Sequence, residues 1–327
     1  MKNYILRLRK HFSHFAVALA IAGFVGSQMP AQSKPTPFSR IVVFGDSLSD
    51  TGNFYHFTGG HVPPPPYLDG RFSNGPLWVE YLAQSLGMQV LPEDDYAVAG
   101  ATTGRANSNN GLLGLQYPGL QDQIEEFVAA HEAGADSDAL YVLWAGANDF
   151  FVALESAESP ALLIGGGVTN TLAAIQTLWQ TGARQILVVN VPDLGLTPFG
   201  ETSGLSDTIT QLSFAYDQAL ESGLDALAAA GVPTIRVDAF TTLETMVNFP
   251  ASFDFTNVTE PFLNVGGDPA GFLFWDSVHP TTRGHQGFAE AALHELIDYY
   301  SPRHGKGEPP ALVNALNGLV HAGKGTP

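Results

Sequence analysis

The chain has 327 residues, 45% of them hydrophobic, with 14 basic and 32 acidic side chains and a formal net charge of −18. That length supports one large domain with a real core, or two small ones, and the charge repels nucleic acid and anionic membranes, which excludes a nucleic-acid partner. Having no cysteine, it holds no disulfide, no lipid-anchoring cysteine and no thiolate metal site.

The chain opens with Lys2, Arg7, Arg9 and Lys10, continues with the apolar run Phe15–Val25, and passes into small and polar residues over Gly26–Ser33. This order predicts a secretory signal peptide over residues 1–31, cleaved near 27–31. The apolar run is shorter than the roughly 20 residues that a membrane span needs. No later segment reads as long and apolar enough to cross a bilayer. Losing the four basic residues of the leader takes the formal charge from −18 to −22. The mature chain is expected outside the cytoplasm, secreted or periplasmic, and a cysteine-free exported protein fits a bacterial source.

Four short apolar runs predict buried strands: Ile41–Phe44, Leu140–Ala145, Ile186–Val191 and Val232–Val237. Each is β-branched or aromatic-rich and ends at a breaker, and runs apolar on both faces point to a parallel sheet covered by helices. Helical spacing marks Pro76–Leu86, Gln121–His131, Thr169–Thr181, the stretch from Leu205 to Leu227, and Thr282–Tyr300. Strands alternating with helices define a single α/β domain, a doubly wound and mostly parallel sheet with helices on both faces, over residues 38–302. Residues 303–327 read as a tail, with Ala311–Val320 as one short apolar helix.

Two connections are long. His56–Gly75 contains Pro63–Pro66, and Asn248–Trp275 carries seven aromatic residues. Loops of that length are commonly functional. The aromatic loop either walls an acyl pocket or packs core beneath it.

In an open α/β sheet, ligands bind beyond the carboxyl ends of the strands, where the sequence places three polar clusters. Ser47 follows the first strand and a Gly-Asp turn; it is either a nucleophile at the start of a helix or, like Ser49, a helix cap. Asn148 follows the second strand, as an oxyanion donor or a turn-former. Asp276 and His279 are spaced so that one turn can bring carboxylate and imidazole together, as an oriented base or as an exposed chance contact. Gly100 either lets a backbone N–H approach the oxyanion or serves only a tight turn. No G-x-S-x-G elbow is present, so the chain is not an ordinary α/β-hydrolase.

These blocks together resemble the GDSL, or SGNH, family of esterases and lipases. The resemblance rests on Phe44–Asn53 (FGDSLSDTGN), Tyr96–Thr103 (YAVAGATT), Gly146–Asp149 (GAND) and Asp276–Pro280 (DSVHP). Gly70–Gly75, Val191–Gly195 and Gly284-His285 are similar to the branch of plant lipases and bacterial extracellular esterases. The resemblance implies a flavodoxin-like SGNH fold and a triad of Ser47, His279 and Asp276. It also implies an oxyanion hole from the Ser47 and Gly100 N–H groups and the Asn148 amide. Hydrolysis of carboxylic esters through an acyl-enzyme, with no metal or cofactor, follows. Ala99 and Asp95 depart from the family pattern, which has Gly and Asn there. Arg71, Asn74 and His285 match family positions and are expected to be structural. A small-molecule or lipid ester is the expected partner, and a monomer the expected state. The alternatives are a carbohydrate acetylesterase or acyltransferase on the same triad, and a non-catalytic secreted binding protein.

Overall fold

Apolar runs that alternate between two hydrophobic faces have only one way to satisfy their backbone, by pairing side by side under helices. The computed structural model describes residues 38–156 and 159–300. The predicted leader, residues 1–31, and the predicted tail, residues 303–327, lie outside them. In chain order the elements are β1 (Ile41–Gly45), α1 (Asn53–Phe57), α2 (Trp78–Ser85), α3 (Leu120–Ala130), β2 (Leu140–Trp144), α4 (Ala147–Ser156) and α5 (Pro160–Thr181). They continue with β3 (Gln185–Val189), α6 (Pro198–Ser203), α7 (Ser206–Ala229), β4 (Ile235–Val237), α8 (Ala239–Asn248), α9 (Phe262–Val265) and α10 (Thr282–Tyr300). Short 3-10 turns lie between them, among them Leu194–Leu196. All described residues fall in one compact unit.

The sheet is parallel, in the order β1-β2-β3-β4, with Ile41 opposite Leu140, Leu140 opposite Gln185, and Leu187 opposite Ile235. On the far side of β1, Asp95 bridges Val43 in parallel, Tyr96 N–H donates to Val43 O at 2.8 Å and Val98 N–H to Gly45 O at 3.1 Å. Residues 95–98 thus act as a short edge segment. The chain steps from β1 to one side and then crosses back to β2 on the other. This reversal is what makes the domain doubly wound, and it puts the end of β1 at the switch point where α/β sheets bind ligands.

Alternation along the strands splits the core in two. Ile41, Val43, Leu140, Val142, Leu187 and Val237 pack with Trp78, Leu82, Leu243, Phe288 and Leu296 from α2, α8 and α10. Val42, Phe44, Tyr141, Leu143, Ile186 and Val188 pack with Ile124, Phe127, Ile175, Leu178, Tyr216 and Leu220 from α3, α5 and α7. Helices on both faces are therefore the observed architecture.

Three expectations need correction. The fourth strand shrinks to β4 because Pro233 lacks the N–H that a ladder uses. Helix α5 begins nine residues before Thr169, where Ser159 caps it, accepting from Leu162 N–H, and Pro160 occupies the first turn. Its internal glycines conceal it in the sequence, yet Gly167 is needed: a Cβ there would lie 2.6 Å from the Tyr216 ring. By length and composition α5 also passes as a membrane span, contrary to the expectation that none would. Here Leu163, Val168, Ala174, Ile175 and Leu178 are buried and the helix packs on α7 and α3, as a core helix does. Of the two readings left open for the aromatic loop, core packing holds for most of it: Phe255, Phe272 and Trp275 are buried, and Phe262 stacks on Trp275 at 4.9 Å.

Candidate active site

The turn after β1 has little freedom. Gly45 has φ of +153°, and a Cβ there would sit 2.2 Å from the Trp144 carbonyl oxygen, so only glycine fits. Buried Gln123 clamps the turn, accepting from Gly45 N–H at 2.9 Å and donating to Gly45 O at 2.8 Å. Asp46 O then accepts the N–H groups of Ser49 and Asp50, both at 3.0 Å, and Asp46 Oδ1 accepts Leu48 N–H at 3.0 Å. Ser47 therefore rides on a hydrogen-bonded turn rather than at the start of a helix; α1 begins only at Asn53. Neither serine caps a helix: Ser49 Oγ instead accepts from Trp78 Nε1 at 3.0 Å.

A single buried carboxylate ties this turn to the next block. Asp50 accepts N–H groups from Gly52, Asn53 and Phe54, and also from Ala99 at 2.8 Å. Gly100 follows with φ of +82°, where a Cβ would collide with the side chains of Asn107, Ser108 and Asn109. Asp95, the unusual residue of that block, is used: Thr51 donates to it through N–H and Oγ, and Ala97 through N–H. Burial raises the affinity of both Asp50 and Asp95 for a proton.

Asn148 lies in the first turn of α4, inside the helix rather than at its cap, and Nδ2 donates to Ala101 O at 3.2 Å. Ser108 Oγ donates to its Oδ1 at 3.4 Å. Asn148, Phe151 and Leu154 recur every three residues, so one face of α4 lines the same cavity as Ser47 and Gly100.

The Asp276 turn closes on itself. Oδ1 accepts the N–H groups of Val278 at 2.9 Å and His279 at 2.7 Å; Oδ2 meets His279 Nδ1 at 2.7 Å. His279 Nε2 lies 2.8 Å from Ser47 Oγ, across 232 positions of chain. Burial pushes the Asp276 carboxyl up, but the imidazole beside it and the converging N–H groups outweigh that and hold it at about 2. An ionised carboxylate only accepts, so Nδ1 carries the proton and Nε2 is free to accept from Ser47. Burial pushes the His279 imidazole down, yet the Asp276 charge and hydrogen bond, and then Asp46, raise it above its ordinary value. Asp46 is itself pushed up to about 7 by burial, against the Leu48 N–H and the nearby imidazole.

Ser47, Gly100, Asn148 and His279 open on one cavity of about 470 Å³. Its far wall is apolar, built from Phe151, Leu154, Leu194, Phe199, Leu243 and Phe288. Phe151 and Phe199 meet edge to face at 5.3 Å. From the aromatic loop Asn248–Trp275 only Phe274 reaches this cavity. No cluster of three or more His, Asp or Glu side chains among the described residues is arranged to hold a metal ion.

Arg71 is structural, pairing through Nε and Nη2 with both Glu80 oxygens at 2.7 Å. Asn74 Oδ1 accepts Thr282 N–H at 2.8 Å at the start of α10. His285 is fully buried in α10, and burial pushes it down to about 3, so it stays neutral. Sequence reasoning missed Tyr67, whose hydroxyl donates to Asp276 Oδ2 at 2.7 Å, and Phe72, whose ring lies 5.1 Å from the imidazole. It also missed Ser108 and Asn109 at the cavity rim. The available signals were the length of the loop His56–Gly75, which carries Tyr67 and Phe72, and the family-like block Gly70–Gly75 around Phe72; nothing singled out Ser108 or Asn109.

A hydroxyl, an oriented imidazole and an apolar cavity beside polar donors define the class of protein, one equipped for acyl chemistry on esters. The profile of the GDSL-like lipase/acylhydrolase family matches residues 41–292, and the chain belongs to that family. It is a carboxylic ester hydrolase of the esterase/lipase kind. Phosphatidylcholine-sterol acyltransferase from Aeromonas hydrophila is 27% identical, over 86% of this chain and 97% of its own length. Esterase EstA from Pseudomonas aeruginosa is 29% identical over 79% of this chain, which spans only 47% of that relative. Among solved structures, a catalytic mutant of Axe2, an acetylxylan esterase from Geobacillus stearothermophilus, aligns with a TM-score of 0.48 and 16% identity, covering 78% of this chain and 93% of that one.

Proposed function

We propose that Ser47 is the nucleophile of an esterase with His279 as base and Asp276 as its orienting carboxylate. The observation that carries this reading is the continuous pair of contacts, 2.8 Å from Ser47 Oγ to Nε2 and 2.7 Å from Nδ1 to Asp276, opening on the cavity. Ser47 attacks the ester carbonyl as His279 takes its proton. The N–H groups of Ser47 and Gly100 and the Asn148 amide receive the oxyanion. His279 then gives the proton to the leaving alcohol, and water repeats the steps on the acyl-enzyme. No metal or cofactor takes part in this cycle.

The apolar wall of the cavity favours an aliphatic acyl group. Hydrolysis of p-nitrophenyl esters of graded length by the purified protein tests this. We expect kcat/KM to rise from acetyl through hexanoyl by about fourfold per methylene, the factor given by ~0.8 kcal/mol of burial. A maximum at acetyl would instead favour the carbohydrate acetylesterase reading, and no turnover or probe labelling at all would favour a binding protein.

One observation favours a second outcome of the same acyl-enzyme. The Aeromonas relative that the chain spans almost end to end is named an acyltransferase. Addition of a sterol to a phosphatidylcholine reaction, with sterol ester as the product sought, distinguishes acyl transfer from hydrolysis.

The base must be neutral to accept the Ser47 proton, and its pKa is raised above 6.5. Activity therefore rises with pH through a midpoint above 6.5, read as the acid limb of kcat/KM. A limb centred below 6.5 would contradict the upward push of Asp276 on His279, and a rate falling across that range would contradict His279 as base. Residues 38–302 are proposed as a single hydrolase domain. Export is inferred from the basic, apolar and small residues in order over 2–33, and N-terminal sequencing of exported protein decides it.

A further inference from the structure

Four donors converge on Asp276, and three of them come from its own turn. Val278 N–H and His279 N–H bind Oδ1, and His279 Nδ1 binds Oδ2. The fourth, the Tyr67 hydroxyl, arrives from 209 positions away and shares Oδ2 with the imidazole at the same 2.7 Å. We propose that Tyr67 is a positioning residue of the reaction, which sets how strongly Asp276 holds and charges His279. The inference rests on the triad reading above and deepens it.

The physical reason is competition for one oxygen. A carboxylate oxygen that receives a second short hydrogen bond has less negative charge to offer the first donor. Removing the phenol hydroxyl concentrates that charge on the imidazole side. The protonated imidazole is then favoured, and His279 becomes a base that frees itself only at higher pH. Tyr67 trades base strength for a larger neutral fraction near neutral pH, which is the balance that general-base catalysis requires.

The hydroxyl is held in place. The Tyr67 ring meets Trp275 edge on at 6.2 Å and Phe72 at 5.8 Å, and Phe72 in turn covers the imidazole. The long proline-containing loop therefore delivers two rings to the site, one bonded to the carboxylate and one against the base. Burial, and then the Asp276 charge, hold the phenol well above its ordinary pKa, so it remains a donor at working pH. The other titratable groups facing His279 are Asp46 from the turn after β1 and His285 from α10. His285 stays neutral, and Asp46 is common to the native chain and to a Tyr67 variant, so it cancels in their comparison.

The test is Tyr67→Phe in the full chain, which keeps the ring and deletes only the hydroxyl. The acid limb of kcat/KM on a soluble short-chain ester should move to higher pH by about 0.5–1 unit, the size expected for losing one hydrogen bond to a charged partner. On the high-pH plateau, where the imidazole is neutral in both proteins and the stronger base in the variant, rates should rise by up to about threefold. The ¹⁵N-NMR titration of the His279 imidazole, compared between Ser47→Ala and Ser47→Ala/Tyr67→Phe, should show the same upward displacement without any turnover. An unmoved limb and an unmoved imidazole titration would overturn the proposal, and so would a loss of activity confined to Tyr67→Leu, which would make the ring merely packing. If Ser47→Ala kept full activity, the triad reading would fall, while the imidazole titration would still report whether Tyr67 tunes His279.

Discussion

Ser47→Ala is expected to lower kcat on any ester by about 10⁶-fold, the loss that follows when the nucleophile of a triad is removed. It should also abolish covalent labelling by a fluorophosphonate. The substitution deletes one oxygen and leaves the hydrogen-bonded turn of Asp46 untouched, so the fold should survive with a stability change within ~1.5 kcal/mol. Two other serines stand close enough to compete for the role. Ser49 is fully buried with its oxygen accepting from Trp78, and Ser108 reaches the cavity, but its Oγ bonds to the Asn148 amide rather than to an imidazole. Normal labelling of Ser47→Ala would transfer the assignment to one of them.

Asn148→Ala is expected to reduce kcat by about 10²–10³-fold with KM little changed, the signature of a donor used mainly in the transition state. The competing account is that Asn148 only braces the site, because Nδ2 already donates to Ala101 O at 3.2 Å. Bracing alone predicts a modest loss of stability, about 0.5–1.5 kcal/mol for one hydrogen bond, with KM and kcat drifting together. Thermal unfolding measured beside steady-state kinetics separates the two. A kcat within about tenfold of the native value would remove Asn148 from the oxyanion hole.

The strands were readable because both faces of β1, β2 and β3 are buried, so nearly every residue in them is apolar. The edge segment 95–98 was not, because Asp95 interrupts its hydrophobicity and it pairs through only a few bonds with β1. Helix α5 was half visible, since Gly165–Gly167 suggest a break to anyone who cannot see Tyr216 packed against Gly167. At the site, the residues nearest a strand end stood out, and the structure brings Ser47, His279 and Asp276 into contact while placing Gly100 and Asn148 on the same cavity. Tyr67 could not be found from spacing, because its partner Asp276 is remote in the chain and nothing local marks a tyrosine after Pro63–Pro66 as bonded. The aromatic loop stayed open between two readings because aromatic density does not distinguish a cavity wall from the packing beneath a long connection.

The face of α4 that carries Asn148, Phe151 and Leu154 has one more implication. Its first turn brings an amide to the cavity that Ser47 opens on, and its later turns bring two apolar side chains to the same cavity, so polar and greasy duties run along a single rigid rod. On the proposed esterase reading, swapping side chains at 151 and 154 should alter which tails are welcome while the backbone presenting the amide stays where it is. A breeder of new ester preferences would therefore find dials on this rod that turn independently of the engine.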